Sequence, residues 1–100
     1  MAFVRIVLQE FDPAQEGERV LGPIQAAIQS APGLQLWIAG GDPATGRGAA
    51  ISVWDTREQA EIGIAAVIPD VGQRTAAAGL KVLSTHVYPV ENEVAPGLRS

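Results

Sequence analysis

Four stretches of the chain are predicted to be β-strands, in which successive side chains point to opposite faces. In the first of them, Val4, Ile6 and Leu8 fall on one side. The second and third stretches are joined by a short connection that contains Asp42-Pro43, and aspartate, proline and glycine are typical of turns. This connection predicts an antiparallel hairpin. The predicted strands cover residues 2–11, 34–40, 47–54 and 81–90.

Residues 14–31 have the spacing of an amphipathic helix, with Val20, Leu21, Ile24, Ala27 and Ile28 on one face. Gly22-Pro23 interrupts the pattern, because proline in a helix interior removes a hydrogen bond and clashes with the preceding turn. The sequence therefore predicts either a kink at this point or a second helical segment that begins at Pro23.

A second helix is predicted over residues 57–68. Thr56 is a candidate N-cap, Gln59 follows three residues later as in a capping box, and Pro69 ends the helix. Residues 70–78 are predicted to add a further helical turn or two.

The order strand, helix, strand, strand, helix, strand predicts an α+β fold of the ferredoxin-like β-α-β-β-α-β type, with four antiparallel strands and both helices on one face. Both faces of the predicted sheet are apolar, although a face exposed to water normally carries polar residues. We therefore expect the uncovered face to pair with the same face of a second copy in a homodimer. One face is predicted to carry Val4, Ile6, Leu8, Leu36, Ile38, Ile51, Val53, Leu83 and Val87. The other is predicted to carry Phe3, Val7, Phe11, Trp37 and Trp54.

Composition narrows the classes of partner. The 100 residues predict one domain over residues 1–90, followed by a tail over residues 91–100. Hydrophobic residues make up 47% of the chain, which indicates that some apolar surface meets another subunit or a ligand. The net charge of −4, without a basic cluster, argues against binding to nucleic acid or an anionic membrane. No signal peptide or bilayer-length apolar run is visible, so we expect a cytoplasmic protein.

Two neighbouring strands of the predicted sheet carry residues that could form a polar site. Arg5 and Gln9 share a face of the first strand, and His86 and Tyr88 share a face of the fourth. In the functional interpretation, His86 accepts a proton near neutral pH and Tyr88 donates a hydrogen bond to a phenolate or carbonyl, while Arg5 and Gln9 contact the substrate. The alternative is a polar network at the edge of a dimer interface.

Three further residues are candidates for ligand contacts. Trp54 either stacks on an aromatic ligand or closes the core at the end of the third strand. Trp37 is a candidate for substrate binding, for packing or for the dimer interface, and Arg74 either binds a ligand carboxylate or is a solvated helix charge. With one histidine and no cysteine, the sequence offers no metal-ligand cluster.

Three segments resemble the antibiotic-biosynthesis-monooxygenase-like proteins of the dimeric α+β barrel superfamily. They are PGL at residues 32–34, DPATGRG at residues 42–48 and AISVWDTREQAE at residues 50–61. The resemblance covers roughly residues 2–90. It implies a homodimer and, in each subunit, a pocket between sheet and helices that a tryptophan at the position of Trp54 often lines.

The resemblance also implies a class of reaction. A cofactor-independent monooxygenase would act on an aromatic or polyketide-like substrate, which itself supplies electrons to oxygen. The alternative is a non-catalytic dimeric module that binds a small hydrophobic ligand or is purely structural. The haem-degrading members use an asparagine on strand one and a histidine on the second helix, and this chain has neither there.

Overall fold

The computed structural model describes residues 1–12, 25–77 and 79–93. The strands are β1 (Phe3–Glu10), β2 (Leu34–Asp42), β3 (Arg47–Trp54) and β4 (Lys81–Pro89). The helices are α1 (Gln25–Gln29), α2 (Arg57–Ile62) and α3 (Val71–Ala77), with a 3-10 helix (Gly63–Ala66) directly after α2. The predicted kink at Gly22-Pro23 and most of the predicted tail lie outside the described residues.

The four strands form one antiparallel sheet in the order β2-β3-β1-β4. This order confirms the predicted ferredoxin-like fold, in which the first and third strands lie in the centre. The hairpin between β2 and β3 is also confirmed, although β2 runs two residues further than predicted, to Asp42. The Asp42 side chain accepts a hydrogen bond from the backbone of Ala44, which holds the chain in the turn.

The described helices cover one face of the sheet, which we call the helix face. Trp54 is fully buried there with Ala31 and Ala60, and Ile28 and Ile68 form a second buried cluster. Because these residues come from both sheet and helices, the core lies between the two layers.

The second predicted helix is interrupted, which corrects the sequence interpretation. Helix α2 ends at Ile62, and Gly63 takes a φ of 62°, a value that favours glycine. The N-terminal cap is as predicted, since the Thr56 hydroxyl accepts a hydrogen bond from the Gln59 amide at 3.2 Å. The reciprocal half of the capping box is missing, because Gln59 Oε1 is buried without a hydrogen-bond partner. The Gln59 side chain lies instead over Gly33, where a Cβ atom would collide with it.

The opposite side of the sheet, which we call the open face, is not covered by any described helix. Strand pairing places side chains there in rows, and the central row is Ile38, Ile51, Ile6 and His86. The next row towards one end is Leu36, Val53, Val4 and Tyr88. Leu8, Ile38 and Ile51 are each more than a third exposed, so the open face presents a continuous apolar surface.

The strand pairing corrects the predicted faces of the sheet. Register shifts occur in β2 between Leu34 and Leu36, and in the β1–β4 pairing beyond Leu8. As a result Leu34 and Leu36 point to opposite faces, and Leu34 lies on the helix face, where it packs against both buried clusters. Val87 pairs with Arg5 and packs against the Trp54 cluster, so it also lies on the helix face rather than on the open face.

Candidate functional site

Trp54 lies in the hydrophobic core and is 0% exposed. Its indole N–H donates a hydrogen bond of 2.8 Å to the hydroxyl of Ser52, which is itself buried. Burying the polar end of an indole needs such a partner. Trp54 therefore has the surroundings of a core residue, which is one of the two interpretations considered from the sequence. Its role at a pocket wall stays a prediction.

Arg5 is half-buried beneath the end of helix α2. Its Nη1 donates to the backbone oxygens of Ala60 and Glu61, at 2.9 and 2.8 Å. A guanidinium suits the last carbonyls of a helix, which have no partner within the helix and carry partial negative charge. Burial lowers the pKa of Arg5 from its ordinary value, because it disfavours the charged form. Arg5 thus holds sheet and helix together.

His86 and Tyr88 lie on the open face, because they pair with Ile6 and Val4. Their rings stack nearly parallel, with centroids 6.0 Å apart. Arg5 points to the helix face, and Gln9 shares its side of the strand. The predicted cluster of these four residues is therefore wrong: strands one and four are neighbours, but the register puts the two pairs on opposite faces.

Arg74 lies on the exposed surface of α3, where its Nε bonds the Asp70 carboxylate at 2.9 Å. The hydrogen bond from Arg74 lowers the pKa of Asp70. Any stability from this pair is present above the unfolded-state pKa of Asp70 and is lost as the pH falls through the lowered folded-state value. Such exposed pairs contribute little to stability.

An open groove of about 320 Å³ lies between α1 and the first half of β2. Four of its six lining residues are apolar, and Trp37 contributes a half-buried aromatic ring. The amides of Gln29 and Gln35 add polar groups that can hydrogen-bond a ligand. The lining residues are Ile28, Gln29, Leu34, Gln35, Leu36 and Trp37. Of the sequence-predicted site residues, the groove contains only Trp37.

Gln35 is fixed at the rim of this groove by Asp55, the residue after Trp54. Its Nε2 donates to Asp55 Oδ1 at 2.7 Å, and the Asp55 amide donates to the Gly33 carbonyl at 2.9 Å. The Gln35 amide also has a second N–H on Nε2 and a carbonyl oxygen, both of which can hydrogen-bond a ligand. Sequence reasoning missed Gln29, Gln35 and Asp55. No sequence signal marked them, because the register shift beside Gln35 is not visible in the alternation pattern.

Two kinds of feature are absent from the described residues. Within residues 1–12, 25–77 and 79–93, no three His, Cys, Asp or Glu side chains are grouped as a metal ion would require. None of the helices in these ranges is long and apolar enough to cross a membrane.

Comparison with solved structures identifies the fold. The structure of SnoaB, a cofactor-independent oxygenase from Streptomyces nogalater, matches with a TM-score of 0.70 over 93% of this chain and 96% of SnoaB, at 14% identity. The ActVA-Orf6 monooxygenase of Streptomyces coelicolor, in complex with Nanaomycin D, matches with a TM-score of 0.65 over 95% of this chain and 92% of its own, at 18% identity.

A third match is a provisionally assigned antibiotic biosynthesis monooxygenase from Chloroflexus aurantiacus J-10-fl. It has a TM-score of 0.62 and 20% identity, and covers 94% of this chain and 98% of its own. The chain has the fold of the antibiotic-biosynthesis-monooxygenase-like proteins. The resemblance inferred from the sequence is thereby confirmed for the fold. No protein-family model and no curated protein matches the sequence.

Proposed function

We propose that this protein is a cofactor-independent monooxygenase-like enzyme that acts on a flat aromatic or polyketide-like molecule. The observation that carries the proposal is a groove beside Trp37 that combines apolar side chains with two amides, in a fold shared over nearly its whole length with a cofactor-independent oxygenase. The groove volume of about 320 Å³ falls within the range of small-molecule sites. A multi-ring ligand would stack on Trp37 and meet the amides of Gln29 and Gln35 at its oxygen atoms.

The proposed reaction balances without an added reductant. An activated ring methylene loses two C–H bonds, one atom of O₂ forms the new carbonyl, and the other atom leaves as water. The electrons come from the substrate, so the protein need only position the ring and stabilise its deprotonated form. Gln35 Nε2 donates one N–H to Asp55, and its second N–H is our candidate donor to the substrate oxygen. Trp54, His86, Tyr88 and Arg74 stay predictions as catalytic or binding residues.

We further propose that the protein is a homodimer joined through the open face. Apolar residues from all four strands are exposed on this face. Removing such a surface from water favours association. His86 and Tyr88 would then lie in the dimer interface, which is the alternative considered for them from the sequence.

The second candidate function is a non-catalytic dimeric module that binds a small hydrophobic ligand. It is favoured by the separation of the predicted catalytic residues. Trp54 is sealed in the core, while His86 and Tyr88 lie on the far side of the sheet from Trp37. Binding without turnover would support this candidate.

The deciding experiment uses anthrone, a three-ring ketone with an activated methylene, and its quinone. Binding is measured by quenching of Trp37 fluorescence in a Trp54→Phe variant, and turnover by oxygen uptake with formation of the quinone. Trp37→Phe, which leaves Trp54 as the emitter, is the matched control and should show no saturable quenching. Saturable quenching with uptake supports the oxygenase, quenching alone supports the binding module, and neither contradicts both.

A further inference from the structure

One end of the open face carries a row of alternating charges. Strand pairing places Asp42 beside Arg47, Arg47 beside Glu10 and Glu10 beside Lys81, so all four strands contribute to it. We call these four residues the charged row. In the order β2-β3-β1-β4 their charges read negative, positive, negative, positive. Arg47 and Glu10 also form an ion pair of 3.3 Å within the chain.

The opposite end of the open face is different. Its row consists of Leu36, Val53, Val4 and Tyr88, and none of these residues carries a charge at neutral pH. The face is therefore polarised along the strand direction, with charges at one end and apolar groups at the other. In the proposed dimer, each end of the open face must therefore contact one of the two ends of the partner's open face.

Two aligned sheets that meet through the same face have two simple arrangements, which differ in the direction of the two-fold axis. If the axis runs across the strands, the charged row lies opposite the partner's apolar row. Asp42 and Lys81 would then lose water without gaining an opposite charge, which is costly. The Arg47–Glu10 pair would be desolvated with no further partner, which is also costly. If the axis runs along the strands, the charged row lies opposite its own copy with the strand order reversed.

The second arrangement matches opposite charges at every position. Reversal places β2 opposite the partner's β4 and β3 opposite the partner's β1. Asp42 then faces the partner's Lys81, and Arg47 faces the partner's Glu10. When an alternating row of four charges is reversed, each position carries the sign opposite to that of the original row. Both contacts are therefore attractive, and the two-fold axis makes each of them occur twice.

We propose that the charged row is a self-complementary recognition element that sets the orientation of the dimer, with its two-fold axis along the strands. The partner is a second copy of this chain. This inference rests on the proposed dimer, and it adds which strand faces which and why. Charges at the rim of an interface act mainly by guiding association and excluding wrong arrangements.

The test uses Asp42 and Lys81, because they lie on opposite edges of the sheet and do not meet within one chain. Across three strand spacings they are about 14 Å apart. Lys81→Glu should weaken the dimer about tenfold at 10 mM salt, where screening is weak, and the deficit should shrink at 1 M salt. Adding Asp42→Asn, which removes the opposing charge but keeps the side-chain oxygen of the turn, should recover most of the loss. Sedimentation equilibrium gives the dissociation constants.

Arg57→Glu is the matched control, since it changes the net charge equally from the first turn of α2 and should leave the dimer unaffected. Lys81→Glu without an effect on a dimeric protein would overturn the charged row and leave the dimer standing. A loss that Asp42→Asn fails to relieve, or that Arg57→Glu reproduces, would reduce the effect to net charge and also overturn the proposal. A monomeric native protein would remove the dimer and this inference together.

Discussion

At the scale of single residues, the two interpretations of Trp54, a core residue or a pocket wall, predict different effects of substitution on stability. Because it is fully enclosed, Trp54→Ala should leave a cavity and lower the free energy of unfolding by about 3–5 kcal/mol. It would also deprive the buried Ser52 hydroxyl of its indole donor. Trp54→Phe keeps most of the volume and should cost clearly less. The measurement is the urea midpoint together with its slope.

A small loss of stability in Trp54→Ala, with quenching of Trp54 by aromatic ligands in a Trp37→Phe background, would contradict the core placement. It would show that the ring faces a space that ligands enter. Trp54 would then return to the site as the sequence first suggested.

Arg5 makes a second prediction at this scale, and it concerns stability rather than substrate binding. Arg5→Met keeps much of the apolar stem but leaves the carbonyls of Ala60 and Glu61 without their donor. Leaving such acceptors unsatisfied costs about 1–3 kcal/mol, which thermal and urea unfolding would detect. Arg5→Lys should recover part of the loss, because an ammonium can still donate to a carbonyl. Unchanged stability in Arg5→Met would mean that water replaces the guanidinium.

At the scale of elements, the break after α2 depends on Gly63. Its φ of 62° and ψ of −146° suit glycine, and an added Cβ would lie 3.1 Å from Arg5 Cζ. Gly63→Ala should therefore cost about 1–3 kcal/mol. Gly72 in α3 is the matched control, because a Cβ there would meet nothing within 4 Å. Gly72→Ala should stabilise by about 0.5–1 kcal/mol, as expected for an open helix position.

Opposite signs for these two variants in urea unfolding would support the assignment. Equal effects would show that the conformation of Gly63 does not matter, and that the predicted continuous helix over residues 57–68 is acceptable to the chain. The apolar spacing of that segment continues across Gly63, and only the positive φ and the side chain of Arg5 from a distant strand explain the break. A long-range cause of this kind is not visible in a local pattern.

At the scale of the whole molecule, strand periodicity predicted the order and pairing of elements but not which face each residue takes. In β4, Thr85 and Val87 share one face, and Ser84, His86 and Tyr88 share the other. Each set contains polar side chains, so alternation alone could not show which set faces the helices. The register with β1 decided it, because Arg5 pairs with Val87 while His86 pairs with Ile6. For this reason the fold could be predicted, while the cluster of Arg5 with His86 could not hold.

The open face gives the last prediction, which concerns assembly. Ile51 lies in its central row and is 38% exposed in the single chain. If this face is the dimer interface, Ile51→Glu places an unpaired carboxylate in a desolvated surface, where charge is costly. The variant should stay folded, because its side chain is already partly in water, yet elute as a monomer at micromolar concentration. Light scattering coupled to gel filtration would give the mass, and circular dichroism the folded state.

Ile62→Glu is the matched control for this test. Ile62 is similarly exposed at 47%, but it ends helix α2, which packs on the helix face. The same change of side chain and charge there should leave the dimer intact. If both variants are monomeric, the added charge acts by general destabilisation, and if both are dimeric, the subunits meet elsewhere. Only a monomer from Ile51→Glu beside a dimer from Ile62→Glu assigns the interface to the open face, because the two variants differ in position and not in chemistry.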